Sequence, residues 1–391
     1  MSSVEQIAQD SNIHSALKSF ANRQSEFEDL IVAVQQIPSP TFEEKDRAAY
    51  IESCFTDLGL KDVSHDSIHN VFGRLPGKSP SSAPVILSAH SDTVFSMETD
   101  LAVRREEPLL YGPGIGDNSA GVAGLLFLAQ TLNMFLIQPE SDLWFVSNVG
   151  EEGLGDLRGM REIVQRFGSQ AIYIVVEGGS YGQIMHEAIG VQRFRIEVKT
   201  EGGHSWGSFG QPSAVHEIGH LVSALDGMKV PSEPRTTYNV GLVKGGTTIN
   251  SIAASSSLLL DLRSENASEL DQLVTRVNDI ISDRESQAKR AGRKISYRVE
   301  PVGNRPAGHI PRQDPLIQCA EAALQYVGCA PINFIAGSTD TNIPLSKGIR
   351  SVCVGLTYSG NSHRLDEYIE LAYLPFGMQQ LLLLSLAAAT L

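Results

Sequence analysis

The chain has 391 residues, of which 42% are hydrophobic and 19% are charged, and its formal net charge at pH 7 is −14. This composition is that of an ordinary globular protein, and the length exceeds what one hydrophobic core usually accommodates, so we expect two domains. The acidic balance argues against a nucleic acid or an anionic membrane surface as a partner.

The ends of the chain and its cysteines indicate the cellular setting. The first twenty residues contain no basic segment followed by an apolar one, so no secretory signal is predicted. The apolar run at 381–389 is too short to span a membrane and predicts a buried terminal helix. The cysteines include no C-x-x-C pair, which favours reduced thiols, a cytoplasmic location and no cysteine metal ligand. They are Cys54, Cys319, Cys329 and Cys353.

The first predicted elements are two helices and a strand. Apolar positions at helical spacing predict a helix over 25–36. Thr41 and Glu44 form a capping-box pattern for a second helix, which reaches about Gly59. A strand is predicted near 70–75.

The segment Val85–Asp92 (V-I-L-S-A-H-S-D) predicts a buried strand that ends in a histidine and a carboxylate. Residues i and i+2 of a strand lie on the same face, so His90 and Asp92 project together. Open α/β sheets bind ligands at the carboxyl ends of their strands, and a neutral imidazole beside a carboxylate suits zinc. An ordinary strand end with a polar pair is the alternative interpretation, and the acidic residues that follow decide between the two.

The glycine-rich stretch 111–121 (Y-G-P-G-I-G-D-N-S-A-G) opens a long apolar helix that is predicted to reach about Leu136. Glycine permits unusual backbone angles and close approach to a ligand, so Asp117 is a candidate metal ligand. A phosphate-binding loop is a second interpretation, but G-x-G-x-x-G is absent and Asp117 would repel a phosphate at the helix start. A plain helix cap is the third.

Two further predicted strands also end in carboxylates. The strand at 142–148 is followed by Glu151 and Glu152, and the strand at 171–176 is followed by Glu177. Adjacent carboxylates are not stable in an apolar pocket unless a cation compensates one of them. Acidic or histidine residues thus end three apolar strands in succession, which favours a metal site over coincidence.

The pattern changes after residue 190. The predicted elements follow the order β-α-β-β-α-β, which is that of a ferredoxin-like unit. They are a strand at 194–199, a helix at 213–228, strands at 238–243 and 257–263, a helix at 268–291 and a strand at 294–300. We therefore predict an α/β catalytic domain in two parts, 1–190 and 301–391, with an inserted domain at 191–300.

One motif points to a different enzyme. Residues 216–220 (H-E-I-G-H) match H-E-x-x-H, which in zincin proteases places two zinc-binding histidines and a glutamate base on one helix. No third histidine follows at the metzincin spacing, and the helix lies inside the predicted insert, away from the acidic strand ends. A zincin-type protease is therefore an alternative, and a structural helix is the other interpretation.

Taken together, the motifs resemble those of the M20 family of di-zinc peptidases and deacylases, which includes glutamate carboxypeptidases and acetylornithine or succinyl-diaminopimelate deacylases. The matching pieces, in order over nearly the whole chain, are S-A-H-S-D-T-V, G-I-G-D-N-S-A-G, G-E-E-G, V-V-E-G-G, E-G-G-H-S and N-S-H-R-L-D-E-Y. The resemblance implies a zinc-exopeptidase-like α/β catalytic domain with an inserted ferredoxin-like domain that serves as lid and dimerisation domain.

The resemblance also implies a set of metal ligands. Asp117 would bridge two metals, with His90 and Glu177 completing one site and Glu152 and His363 the other. The implied cofactor is two zinc ions, with cobalt or manganese as substitutes. Two such ions activate a shared water and stabilise the oxygens of a tetrahedral intermediate.

The remaining implied roles concern catalysis and substrate binding. Glu151 would be the general base, and Asp92 would orient the histidine two residues before it. His204 of the lid would stabilise the oxyanion, in many relatives from the neighbouring subunit. Asn250 and Arg263 would hold a substrate carboxylate, with a sheet-face asparagine and a surface arginine as the alternative interpretation.

These implications predict an enzyme that cleaves an amide bond in small peptides or N-acyl amino acids. Carboxypeptidase-like and deacylase-like members of the family tend to carry glutamate at the position of Glu177, which favours a substrate with a free carboxylate beside the scissile bond. The leading hypothesis is a peptidase of carboxypeptidase type, and an N-acyl-amino-acid deacylase is the alternative. A catalytically inactive metal-binding scaffold is a hypothesis of another class, which the presence of Glu151 disfavours.

Overall fold

A computed structural model describes residues 3–79 and 82–391 of the chain. The chain divides into two compact units. The first, called the catalytic unit below, consists of Met1–Ala188 and His309–Leu391, and the second, called the inserted unit, is Ile189–Gly308.

The described residues form the following regular elements. The helices are α1 (Ser3–Ile7), α2 (Ser11–Asn22), α3 (Gln24–Gln35), α4 (Lys45–Asp57), α5 (Ala120–Met134), α6 (Arg158–Phe167), α7 (Ala214–Asp226), α8 (Ala267–Arg290), α9 (Pro315–Tyr326), α10 (Asn342–Ser346) and α11 (Leu374–Ala388). The strands are β1 (Lys61–His65), β2 (Val71–Leu75), β3 (Val85–His90), β4 (Arg104–Glu106), β5 (Leu109–Tyr111), β6 (Leu143–Asn148), β7 (Ile172–Glu177), β8 (Gln183–Ala188), β9 (Gly190–Lys199), β10 (Gly203–His204), β11 (Thr236–Gly245), β12 (Ser251–Ile252), β13 (Ser255–Ser264), β14 (Ser296–Arg305), β15 (Gly308–His309), β16 (Asn333–Gly337), β17 (Ser351–Gly355), β18 (Ser359–Gly360) and β19 (Tyr368–Glu370).

A mixed sheet forms the centre of the catalytic unit. Its strand order is β1-β2-β6-β3-β7-β17-β8-β15, and β16 also pairs with β8. The pairs β3–β6, β3–β7 and β7–β17 are parallel, so β6, β3 and β7 end at the same edge of the sheet. These are the three apolar strands that the sequence predicted to end in acidic or histidine residues, and the fold is the predicted α/β class.

Helices cover both faces of this sheet because its central strands are buried on both sides. One face packs against α5 and α11, and the side chains of Leu87, Phe145 and Ile174 point into that layer. The other face carries Ile86 and Tyr173 toward α6 and α10. Every residue of β3 is buried, which explains its continuous apolar sequence rather than an alternating one.

The apolar C-terminal run forms the buried helix that the sequence predicted. Among the described residues, the helical stretch Leu371–Ala388 is long and apolar enough to cross a membrane, yet 78% of it lies inside the fold. It packs against α9 and α2 as part of the core.

The inserted unit has a four-stranded antiparallel sheet in the order β11-β13-β9-β14. The helices α7 and α8 pack against this sheet, and Ile196, Leu260, Ile218 and Leu273 lie in the core between them. The element order and the strand order are those of a ferredoxin-like fold.

The strand β14 corrects the predicted C-terminal boundary of the insert. Pro301 was expected to begin the second part of the catalytic domain, but β14 continues through it, with a register shift against β9 between Pro301 and Gly303. Because β14 is an edge strand, a proline there can be accommodated by a bulge without breaking a ladder on both sides. The structure therefore moves the boundary from residue 300 to Gly308.

The H-E-x-x-H motif lies on α7 in an arrangement that has a structural explanation. Glu217 is buried, whereas His216 and His220 are exposed. The Glu217 carboxylate accepts hydrogen bonds from the Arg284 guanidinium at 2.7 Å and from the Tyr297 hydroxyl. The glutamate therefore joins α7 to α8 and β14 beneath the helix, on a different face from the two histidines, and does not form a zincin site with them.

This ion pair predicts a stability effect that is separate from catalysis. Glu217→Ala leaves the Arg284 guanidinium, 22% exposed, without its carboxylate, and we expect a loss of about 2–4 kcal/mol in the free energy of unfolding of the inserted unit. Hydrogen exchange of the α7 amides in the full-length protein measures this change. Glu285→Ala is the control, because it removes an exposed carboxylate from α8, the helix that carries Arg284. An equal effect of both variants on hydrogen exchange would contradict the prediction.

Candidate metal centre

Three ligand-type side chains meet where β3 and β7 end and α5 begins. Nε2 of His90 lies 3.1 Å from Oδ1 of Asp117 and 3.7 Å from Oε2 of Glu177. The ligand atoms of the three residues all lie within 4.8 Å of one another. Nδ1 of His90 contacts the backbone carbonyl oxygen of Asp92 at 3.0 Å, so Nε2 is the nitrogen that faces the group.

A second group shares one member with the first. Nε2 of His363 lies 3.2 Å from Oδ2 of Asp117 and 3.1 Å from Oε1 of Glu152, and the ligand atoms of these three residues also lie within 4.8 Å of one another. Asp117 thus presents a different carboxylate oxygen to each histidine. The five side chains that the sequence predicted as ligands are brought together in the predicted two sets.

Glycines allow the backbone to place the acidic residues at this edge. Gly114 and Gly150 precede Asp117 and Glu151 in the chain, and each has φ of +69°. This left-handed conformation is unfavourable for other residues. A Cβ atom on Gly150 would also lie 2.5 Å from Cγ of Arg158, so a side chain there would displace Arg158.

The electrostatics of the cluster indicate a place for cations. Burial lowers the pKa of His90, but hydrogen bonds with the surrounding carboxylates outweigh it and hold the pKa well above its usual value. Hydrogen bonds with Asp117 and Glu152 raise the pKa of His363 to about 10. Burial raises the pKa of Glu177. Imidazole and carboxylate side chains are also the groups from which divalent transition metals displace protons when they bind. The donor set fits such ions.

The carboxylate of Asp92 is fully buried and holds the loop that follows β6. Its Oδ1 accepts a hydrogen bond from the Glu151 amide at 3.0 Å, and its Oδ2 accepts one from the Glu152 amide at 3.0 Å and one from the Thr41 hydroxyl at 2.9 Å. The distance from Asp92 Oδ1 to Nδ1 of His90 is 3.6 Å. The side chain predicted to orient His90 therefore mainly positions the two glutamates, while its backbone carbonyl contacts the imidazole.

Thr41 was assigned to a capping box, and the structure gives it a different partner. Helix α4 has no side-chain hydrogen bond at its N-cap. The Thr41 hydroxyl donates instead to Asp92, to which Pro40 and Thr93 bring it close by pairing their backbones. This contact joins segments far apart in sequence, so the local pattern could not indicate it.

Arg47 is a buried residue that the sequence analysis missed. Its guanidinium donates to the carbonyl oxygens of Ser91 at 2.8 Å and Ile37 at 2.6 Å, and burial lowers its pKa to about 10. It braces Ser91, which lies between His90 at the end of β3 and Asp92. A signal was available, because Arg47 shares one face of α4 with Ile51 and Phe55, and an arginine on an apolar helix stripe is unusual.

A second missed residue is Asp340, in the polar loop before α10. It is fully buried, and its Oδ2 accepts a hydrogen bond from the side-chain amide of Asn148 at 2.6 Å. Burial raises the pKa of Asp340 to about 7. The carbonyl oxygen of Asn148 accepts from the Ser91 amide at 2.7 Å, so this residue ties the ends of β3 and β6 together.

The inserted unit brings two of its three predicted site residues together. His204 pairs with Ser251 in the short ladder of β10 and β12, and the Ser205 amide donates to the Asn250 carbonyl oxygen at 3.0 Å. The exposed His204 accepts at Nδ1 from the amides of Trp206 and Gly207, both at 3.2 Å. In the neutral imidazole, the proton therefore lies on Nε2, which is left as a donor.

Arg263 lies elsewhere in the inserted unit. Its Nε donates to Asp261 at 2.7 Å on β13, and the side chain is 45% exposed. Asn250 immediately precedes β12, whereas Arg263 is near the far end of β13, and the part of β13 that lies between them is roughly 25 Å long. The binding of a substrate carboxylate by these two residues stays a prediction.

Comparisons with known proteins show the family of the chain. The model of peptidase family M20/M25/M40 matches residues 86–386. Carboxypeptidase G2 of Pseudomonas sp. (strain RS-16) is 25% identical over 214 residues, which cover 52% of this chain and 49% of that protein, so the match spans about half of that relative's length.

Solved structures show the same fold. A tripeptidase of Staphylococcus aureus superposes with a TM-score of 0.79 at 22% identity, covering 94% of this chain and 99% of that one. The dipeptidase Dug1p of Saccharomyces cerevisiae gives a TM-score of 0.77 at 12% identity, covering 97% and 99%. The chain belongs to peptidase family M20/M25/M40 and is a metal-dependent hydrolase.

The contacts of Asp92 predict a role in metal retention. In Asp92→Asn an amide group replaces one acceptor oxygen and faces a backbone N–H of Glu151 or Glu152. One of the two hydrogen bonds that hold these glutamates in place is therefore lost. We expect metal affinity or activity to fall by about 10–100-fold, as is typical for residues that support ligands. Chelator competition measures the affinity. Thr41→Val, which removes one of the three hydrogen bonds to Asp92, should have a smaller effect, and the opposite ranking would contradict the assignment.

Proposed function

We propose that this protein is a di-zinc hydrolase that cleaves an amide bond next to a free carboxylate in small peptides or N-acyl amino acids. The observation that carries the proposal is the Asp117 carboxylate, which directs one oxygen to His90 and the other to His363 at 3.1 and 3.2 Å. A carboxylate placed between two imidazoles, each with a further glutamate, supports a bridging role between two ions rather than a single-metal site.

The proposed metal ligands follow from the two groups. His90 and Glu177 would hold one ion, Glu152 and His363 would hold the other, and Asp117 would contact both. Divalent ions held there would supply the Lewis acidity that activates water and polarises the scissile carbonyl. Zinc suits this mixture of imidazole and carboxylate ligands, and cobalt or manganese could substitute for it.

Glu151 is the proposed general base. It is 7% exposed and follows β6 immediately before Glu152. Its backbone is fixed by Asp92, so the carboxylate is held beside a ligand without being part of either ligand group. A carboxylate oxygen there would take the proton of the attacking water and deliver it to the nitrogen of the leaving amine, which balances the hydrolysis.

His204 is the proposed donor to the oxyanion that develops on the substrate carbonyl. The backbone amides of Trp206 and Gly207 occupy its Nδ1, which keeps Nε2–H available to donate in the neutral imidazole. Such a donor is effective because its hydrogen bond strengthens as negative charge develops. In this role the inserted unit would act as a lid.

The proposed substrate class rests on several residues. Glutamate at position 177 favours carboxypeptidase or deacylase substrates, as the family resemblance implies. The similarity to a carboxypeptidase supports the same class. Asn250, beside His204, is the proposed contact to the substrate carboxylate. If Arg263 also binds that carboxylate, the distance between the two residues requires that they come from different chains.

A homodimer through the inserted unit would satisfy that requirement. In the part of the chain that the structure describes, β11 pairs on one side only, with β13. Leu242 and Val243 on this strand are 41% and 51% exposed. An exposed apolar edge strand is a template for pairing with another strand, and a second copy of this chain is the proposed partner.

A cytoplasmic location remains a prediction from the cysteine pattern.

Two glutamine variants test the proposed reaction. Glu151→Gln should lower kcat by about 10²–10⁴-fold because the general base is lost, with metal content unchanged. Glu217→Gln should keep its activity per folded molecule, because Glu217 is bound to Arg284 and Tyr297. Hydrolysis of free-carboxyl and carboxyl-blocked dipeptides and N-acyl amino acids is the measurement. Loss of activity in Glu217→Gln alone would favour the zincin hypothesis, and an inert wild-type protein would favour a metal-binding scaffold.

Mixing two inactive variants tests the proposed dimer. We expect His204→Ala to lower kcat by about 10²–10³-fold without loss of metal. If His204 acts on the partner's metal centre, heterodimers of His204→Ala with Glu151→Gln should regain activity, because one of their two sites combines an intact Glu151 with an intact His204. Verified heterodimers without recovery would place His204 in its own chain's site, and full activity of His204→Ala would exclude the role.

A further inference from the structure

A buried carboxylate lies in the loop that carries His363. Glu367 has no exposed surface, whereas His363, four residues earlier, has a side chain that is 53% exposed. A buried carboxylate is costly unless hydrogen bonds compensate it. The hydrogen-bond partners of Glu367 therefore show what the residue is for.

Within residues 3–79 and 82–391, the hydrogen bonds to the Glu367 side chain come from the loop that carries Asp117. Oε1 accepts from the amides of Gly116 at 2.7 Å and Asp117 at 2.8 Å, and Oε2 accepts from the amide of Gly114 at 3.3 Å. The backbone carbonyl oxygen of Glu367 also accepts from the amide of Gly112 at 2.9 Å. One residue thus accepts four hydrogen bonds from backbone amides of the segment 112–117.

The approach of the two loops leaves little space. A Cβ atom on Gly116 would lie 2.9 Å from Cβ of Ser359 and 3.3 Å from Oε1 of Glu367. The amide of Glu367 donates to the Arg364 carbonyl oxygen at 3.1 Å, which folds the chain back immediately after His363. Glu367 therefore contacts the Asp117 loop through its side chain and the His363 turn through its own backbone.

We propose that Glu367 is a positioning residue that fixes the loop of Asp117 against the loop of His363 and so sets the distance between these two proposed metal ligands. This inference rests on the proposed di-metal function. It extends that function by assigning a role to a residue that is not itself in either ligand group. Residues that hold ligands in place generally matter for metal affinity as well as for activity.

The two ligand groups differ in how much they depend on this contact. His90 and Glu177 end adjacent parts of the central sheet, where β3 and β7 pair directly. His363 lies in a loop, its own φ is +67°, and its position is set by the turn that Glu367 completes. Loss of Glu367 should therefore weaken the Asp117–Glu152–His363 group more than the His90–Asp117–Glu177 group.

Zinc titration of the metal-free, full-length chain tests the proposal. Glu367→Gln keeps the side-chain shape but places an amide group against backbone N–H donors. We expect one of two zinc-binding events to weaken by about 10–100-fold, with the other changed much less. Asp366→Asn is the matched control: it removes a carboxylate from the same loop, but this side chain contacts Asn361 and Arg364 instead of the Asp117 loop, and it should bind zinc as the wild type does.

The outcomes separate this inference from the proposed function. A wild-type chain that binds no zinc would overturn both. This inference alone would be overturned if Glu367→Gln bound both zinc ions as tightly as the wild type does. It would also be overturned if Asp366→Asn lost as much zinc affinity as Glu367→Gln.

Hydrogen exchange on the wild-type protein gives a test that does not depend on a variant that folds. The amides of Gly116 and Asp117 should exchange slowly even without metal, because both donate hydrogen bonds to the Glu367 carboxylate. Exchange at the rate of exposed loop amides would overturn the proposal.

Discussion

The arrangement of the candidate metal centre depends on the Asp117 carboxylate, which lies between two histidines and among further carboxylates at one edge of the sheet. Like charges at this density repel one another, and burial makes the repulsion stronger because the local dielectric is low. Hydrogen bonds with these carboxylates raise the pKa values of His90 and His363. Divalent cations are the natural partners of such a site. The features around it can be understood as ways to keep five ligand side chains together while that repulsion acts.

The same device holds the ligand-bearing loops at two places. Asp92 accepts the amides of Glu151 and Glu152, and Glu367 accepts the amides of Gly116 and Asp117. In each case, a buried carboxylate binds the backbone beside a proposed ligand or base rather than the side chain. Backbone amides are neutral donors of fixed geometry, so they compensate a buried carboxylate without a competing cation that would lower the affinity of the site for metal.

The inserted unit shows that a motif acquires its meaning from packing. H-E-x-x-H on α7 matches a zinc-binding pattern, but Glu217 is bound by Arg284 and Tyr297 in the interior while both histidines face outward. Conversely, His204 belongs to no classical short motif outside the resemblance, yet its Nδ1 is occupied by two backbone amides, which prepares Nε2 as a donor. The hydrogen-bond partners of a histidine, more than its spacing, indicate what it can do.

The sequence by itself determined the α/β class, the three apolar strands with acidic ends, the ferredoxin-like order of the insert and the five residues that come together. The first three follow from periodicity and from the direction of parallel strands, which local sequence encodes. The set of five residues follows from the resemblance of the motifs to those of the M20 family. Tertiary structure alone decided the continuation of β14 past Pro301, the separation of Asn250 from Arg263, and the partners of Thr41, Asp340 and Glu367. Each of these depends either on contacts between segments that are distant in the chain or on the position of a strand at the edge of its sheet. No local pattern records such contacts, because the hydrogen bonds that satisfy a buried polar group are chosen only when the chain has folded around it.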